Sequence, residues 1–115
     1  MNFKVTQRKT RDVAVLDLSG RIVLGDETNR LEETLKALVT GGEKKILLNL
    51  AEVSYIDSAG LGALVRSQAA ATAQDGRIKL LNAPAKVTTL LRITKLQEPF
   101  ERFEDELEAI ESFPQ

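Results

Sequence analysis

Twice along this chain an apolar run gives way, across a turn, to a segment of helical period and then to another apolar run. That alternation constrains the fold more than any other feature of the 115 residues. Lys45-Ile46-Leu47-Leu48-Asn49-Leu50 alternates like a strand with one covered face. After it, Leu61, Leu64, Val65, Gln68, Ala69 and Thr72 recur at helical spacing, which predicts a helix from about Ser58 to Gln74. Asp75-Gly76 then turns the chain into a short strand, Arg77-Ile78-Lys79-Leu80-Leu81.

The flanking segments extend the pattern. Phe3, Val5 and Gln7, the polar stretch Arg8 to Asp12, and Val13 to Leu18 predict two strands joined by a turn, paired antiparallel. Gly25-Asp26 opens a helix capped by Asp26 or Thr28. Leu31, Leu35, Leu38 and Val39 share one face of it, Glu32 and Lys36 form an i,i+4 pair, and Gly41-Gly42 supplies the stop. Pro84 suits the first position of a third helix whose Val87, Leu90 and Leu91 face the sheet, and Glu98-Pro99 ends it. Phe100 to Phe103 offers a short edge strand, and Asp105 or a neighbour starts a last helix carrying Leu107 and Ile110. The expectation is an α/β domain over residues 1–115: a mixed sheet of four to five strands, an N-terminal antiparallel hairpin followed by parallel strands, and about four helices.

Composition narrows the chemistry. With no cysteine and no histidine, disulfides, thiol chemistry, the commonest general base and the commonest zinc ligand are all missing, so an enzyme is not expected. A net charge of −1 with interspersed signs provides no basic field for nucleic acid. No apolar run approaches the ~20 residues of a bilayer crossing, and Met1-Asn2-Phe3-Lys4 has no signal-peptide core, so a cytoplasmic protein without membrane insertion is expected. The aromatic share of 4% points to an aliphatic core. Gly60-x-Gly62 is not a dinucleotide fingerprint, because Val65 stands where a third glycine is needed, and no P-loop occurs; no cofactor is expected. The acidic run Glu104-Asp105-Glu106 reads as a helix first turn, with no metal site.

The chemistry-bearing stretch is Tyr55-Ile56-Asp57-Ser58-Ala59-Gly60-Leu61-Gly62, where strand becomes helix. A hydroxyl there falls at or next to an N-cap, and a phosphate on it would fit the positive end of the helix. The plain alternative for Ser58 is a helix cap worth about 1 kcal/mol, and for Asp57 a turn residue bonded to its own backbone. Gly60 and Gly62 leave part of the first turn bare for another protein to approach.

Asp57-Ser58-Ala59-Gly60-Leu61-Gly62 after an apolar strand resembles the signature of the STAS family, named for sulfate transporters and anti-sigma factor antagonists. Val13-Ala14-Val15-Leu16-Asp17-Leu18-Ser19-Gly20-Arg21-Ile22 resembles that family's first central strand, and Leu81-Asn82-Ala83-Pro84 with Val87 and Leu90 its last strand-to-helix corner. The resemblance implies a bacterial anti-sigma factor antagonist, monomeric when alone. Its serine, Ser58, is phosphorylated by an anti-sigma factor serine kinase and restored by a serine phosphatase. It also implies that Asp26, Asp57, Ser58, Ala59, Gly60, Leu61 and Gly62 form the partner surface, with Asp26 supplying an acidic contact. Arg21-Ile22-Val23-Leu24 is more apolar than the familiar family version, which suits a partner's groove. Ser54, Ser19 and Ser67 are lesser acceptors. The rival implication is an unmodified binding module of a transporter complex or a stress-sensing assembly.

Overall fold

The computed structural model describes residues 3–96 and 99–114. Glu98, expected to help end the third helix, lies outside the described residues, as do Met1 and Asn2 of the N-terminal reading. The elements are β1 (Lys4–Thr10), β2 (Val13–Ile22), α1 (Asp26–Thr40), β3 (Lys45–Ile56), α2 (Ser58–Ala73), β4 (Arg77–Leu81), α3 (Ala85–Ile93), β5 (Arg102–Phe103) and α4 (Glu106–Glu111). The five strands stand in sequence order, β1 antiparallel to β2 and every later pair parallel. Successive parallel strands placed side by side in one direction, joined by right-handed crossovers, send every crossover helix to the same face. Leu16, Leu18, Ile46, Leu48, Leu50, Ile78 and Leu80 accordingly form the main core with Leu31 and Leu35 of α1, Leu61 and Leu64 of α2, and Val87 and Leu91 of α3. Val13, Val15, Leu47 and Leu81, of opposite parity, meet Ala109 and Ile110 of α4 on the other face.

Several boundaries differ from expectation for identifiable reasons. The first turn is Arg11-Asp12 alone, because Thr10 pairs with Val13 and Arg11 takes the left-handed conformation (φ 58°). β3 runs six residues past Leu50, following β2 through two register irregularities, and this carries the sheet edge up to Ile56. α1 is capped by Gly25 (φ 125°), not by Asp26 or Thr28; Thr28 turns inward and its hydroxyl donates to the Gly25 carbonyl at 3.0 Å. Glu32 pairs with Arg66 of α2 at 2.5 Å and so ties two helices together in place of the expected local partner Lys36. In α2, Ser67 and Ala71 are buried while Ala69 and Thr72 face solvent, reversing part of the face assigned from spacing. Pro84 caps α3 from just outside it, and Leu107 of α4 is exposed while Ala109 and Ile110 go inward.

The α4 face is fastened by polar groups. Arg8 reaches Asp17 at 2.7 Å and Glu106 at 2.6 Å, holding both carboxyls below their usual range and its own guanidinium further toward the charged form. Buried Lys79 donates to the Ser112 carbonyl (3.1 Å) and hydroxyl (2.9 Å) and pairs with Glu101 at 2.6 Å. Its ammonium therefore sits on the C-terminal end of α4, where the helix dipole favours a cation.

Two contacts position α2. A methyl group on Gly60 would lie 2.4 Å from the Ile22 carbonyl oxygen and 2.9 Å from side-chain carbons of Ile22 and Ile56, so only glycine lets the helix start this close to β2 and β3. Farther along, Gln68 behaves like a peptide unit of a missing strand. Its Oε1 accepts from the Ile78 amide at 2.8 Å, and its Nε2 donates to the Ile78 carbonyl at 2.7 Å and to the Pro99 carbonyl at 2.6 Å.

Two stability changes follow. Gly60→Ala should cost about 3 kcal/mol through overpacking. Gly62→Ala, whose added carbon meets only the exposed Arg66 guanidinium at 3.2 Å, should stay within about 1 kcal/mol and lean favourable through helix propensity. Urea titrations of both variants check the contrast. Gln68→Met keeps the volume but strands the Ile78 amide and carbonyl; a loss of about 2–4 kcal/mol is expected in the same titration.

Candidate functional site

The strand-to-helix junction at 56–58 and the loop after β2 meet at the C-terminal end of the sheet. β2 and β3 run side by side to the end, Ile22 opposite Ile56, so the segments that leave them start as neighbours. Asp57 then joins them. Its Oδ1 accepts from the Gly60 amide at 2.8 Å and caps α2, while its Oδ2 accepts from the Leu24 amide at 3.0 Å. The Asp57 amide itself donates to the Ile22 carbonyl at 3.2 Å. Of the two places expected for Ser58, at the N-cap or next to it, the structure gives the second: the aspartate one residue earlier has the extended backbone (ψ −178°) that points a side chain back over the first turn. Partial burial alone would raise the Asp57 carboxyl, but backbone amides of Leu24, Gly60 and Ala59 outweigh it and hold the group below the usual carboxylate range.

Relieved of capping, Ser58 is the first helical residue of α2 and is exposed. Ala59 and Gly62 beside it are partly exposed, whereas Gly60 and Leu61 turn inward. Gly60 therefore serves close packing, and the bare surface expected from both glycines is left to Gly62. Asp26 is exposed at the start of α1, next to Leu24, whose side chain is 78% exposed on a backbone pinned by Asp57. Of the lesser serines, Ser54 is exposed, Ser19 half-buried and Ser67 buried. The structure brings Leu24, Asp57 and Ser58 together; the Leu24 link was missed from sequence because the acceptor of a backbone amide leaves no mark in residue type. Tyr55 was also passed over. It is 42% exposed, with the Arg21 guanidinium 5.5 Å and the Lys86 ammonium 5.8 Å from its ring.

Among the described residues no group of three carboxylates comes together as a metal site. In the acidic run Asp105 caps α4 through the Glu108 amide at 2.9 Å, and Glu106 is held by Arg8. Among the same residues no helix is long and apolar enough to cross a membrane.

An antiparallel hairpin leading into parallel strands, with an Asp-Ser pair at the start of the second helix, defines a class of small α/β domains. Residues 5–105 match the family described as "Mlab, STAS domain", and the chain belongs to the STAS domain family. The anti-sigma-B factor antagonist of Staphylococcus aureus (strain NCTC 8325 / PS 47) is 35% identical over 68 residues, 59% of this chain and 63% of that protein. This chain thus spans under two thirds of the length of that curated relative. The Thermotoga maritima protein TM1081 superposes with a TM-score of 0.85 at 23% identity, covering 93% of this chain and 92% of that one. The Bacillus cell fate determinant SpoIIAA in its phosphorylated form superposes with a TM-score of 0.73 at 22% identity, covering 96% and 97%. These superpositions establish the fold.

Asp57→Ala should lower stability by about 1 kcal/mol through loss of the cap and should speed hydrogen exchange at the Leu24 amide. Because folding depresses the Asp57 pKa, its contribution is full above the unfolded carboxylate value of about 3.9 and disappears as pH falls through the folded value. The stability gap between wild type and Asp57→Ala should therefore be widest near neutrality and close in acid, as read by denaturation at several pH values.

Proposed function

We propose that this chain is an anti-sigma factor antagonist whose docking face is the Leu24–Asp57–Ser58 junction, and that phosphorylation of Ser58 is its off-switch. One observation supports the reading above the others: Ser58 is exposed and free of the capping duty that would otherwise account for a serine at a helix start. The relative named as an anti-sigma-B factor antagonist, and the phosphorylated form of a protein of this fold, support it further. In this reading the chain is a binding protein, not an enzyme. Its partners are an anti-sigma factor serine kinase, which modifies Ser58, and a serine phosphatase, which restores it.

The physics of the switch is local. Unmodified, the junction offers a small hydroxyl, the partly exposed Ala59 and Gly62, the apolar Leu24 side chain, and Asp26 at the rim. Phosphate adds about −1.5 to −2 charges. Amides of the first helical turn solvate that charge within the domain, so the fold is retained. In the complex the same dianion faces a surface shaped for a neutral group, with the ionised Asp57 adjacent, and a penalty of ~3 kcal/mol is about a hundredfold in affinity. The kinase then releases this chain and recaptures its sigma factor.

Titration calorimetry with the anti-sigma factor kinase recovered by pull-down provides the test. Ser58→Ala should bind as tightly as the unmodified protein, and Ser58→Asp about ten- to a hundredfold more weakly. Site mapping after incubation with kinase and ATP should find phosphate on Ser58, not on Ser54, Ser19 or Ser67. Equal affinity of the two variants overturns the switch and leaves the face as an unmodified docking module.

A further inference from the structure

Outside the Ser58 junction, the molecule carries two exposed apolar spots of opposite electrostatic character. The first is a shallow groove where the end of β3 meets α3, lined by Tyr55, Ile56, Lys86, Leu90 and Ile93. Ile93 is 70% exposed and Tyr55 42%. From Ala83 to Leu96 the chain has three cations, Lys86, Arg92 and Lys95, and no carboxylate, and Arg21 joins Lys86 at the Tyr55 ring. The second spot is Leu107, 52% exposed on α4. Around it, residues 101–111 hold six carboxylates against one cation, Arg102. Glu106 is held by Arg8, Glu101 by Lys79, and Glu111 lies 3.6 Å from Arg11, while Glu104 and Glu108 are exposed and line one pocket with Arg102.

We infer that Leu107 of one molecule, carried on the acidic segment 101–111, seats in the Tyr55–Ile93 groove of a second copy of this chain. Charge selects the pairing. Groove against groove sets Lys86 and Arg92 against their own copies, and α4 against α4 sets carboxylate against carboxylate; only groove against α4 joins opposite signs around an apolar centre. α3 and α4 pack on opposite faces of the sheet, so each molecule presents its groove to one neighbour and its α4 to another. The contact is head-to-tail and does not close on itself as a two-fold dimer would. The groove borders the Ser58 junction and shares Ile56 with it, so the contact is assigned to the unmodified chain.

Exposed ion pairs around a small apolar contact are individually weak and screened by salt. The association therefore belongs to high local concentration, and a dilute sample is monomeric. Sedimentation velocity on the full, unmodified chain reads it directly. At about 1 mM protein in low salt the weight-average mass should exceed the monomer by at least about half, and in ~0.5 M salt it should return to the monomer. Ile93→Asp places a carboxylate in the groove but leaves α4 intact; Leu107→Asp removes the apolar anchor but leaves the groove intact. Each variant alone should be monomeric. Mixed in equal amounts, they hold one good groove and one good α4 between them and should stop at a dimer, whereas wild type continues to grow. Both positions are exposed, and thermal melts followed by circular dichroism check that the fold is kept; Ile93→Ser and Leu107→Ser serve if a carboxylate unfolds either. Wild type monomeric at 1 mM in low salt overturns the proposal. So does growth that survives both substitutions, which assigns the contact to another face, or a monomeric wild type whose Ile93→Asp variant alone loses the anti-sigma factor, which assigns the groove to that partner.

Discussion

The approach of α2 to the ends of β2 and β3 is the contact on which the rest of the molecule's arrangement depends. Gly60 makes it possible by having no side chain to strike the Ile22 carbonyl. Asp57 then uses the geometry that the close approach creates, bonding one carboxylate oxygen to the helix and the other to the loop that leaves β2. A steric allowance and a bidentate electrostatic tie thus operate within four residues of one another. Widening the gap by even one methyl group would pull the carboxylate away from at least one of its two amides, so packing and site geometry are one problem at this corner.

The two faces of the sheet are built on different principles. The α1–α3 face is an aliphatic core assembled by area burial, in which each fully buried Leu or Ile contributes about 1.5–3 kcal/mol. The α4 face has few apolar residues to cover, and a six-residue helix alone is too short to persist in water. Arg8 and Lys79 make up the difference by gripping Glu106 near one end of α4 and Ser112 at the other. Such groups must be paired to be tolerated at an interface between elements, and here they are.

Much of this could be read from residue order, and the failures have physical causes. The strand–helix alternation, the hairpin, the two-glycine stop after α1 and the exposed serine at the start of α2 follow from local pattern. Alanine carries little information about which way it faces, so an alanine-rich helix such as α2 lost its inner face in the reading; Ala69 and Thr72 were placed inward where Ser67 and Ala71 belong. Alternation in β3 fades after Leu50 because irregular pairing with β2 leaves both Ala51 and Glu52 exposed. At the junction, the bond of Asp57 to its own local backbone was among the readings, and its bond to the Leu24 amide was not. A carboxylate that binds backbone amides selects partners by position alone, and position emerges only when the sheet has set Ile22 opposite Ile56.

Gln68 has a consequence for life in a crowded solution. β5 covers only the last two residues of β4, which leaves the outer rim of the sheet open at Ile78, where a stray extended segment from another molecule would find a ready template. The glutamine amide already occupies both hydrogen-bonding groups there. One side chain thereby blocks a ribbon from propagating outward along the part of β4 that β5 leaves uncovered.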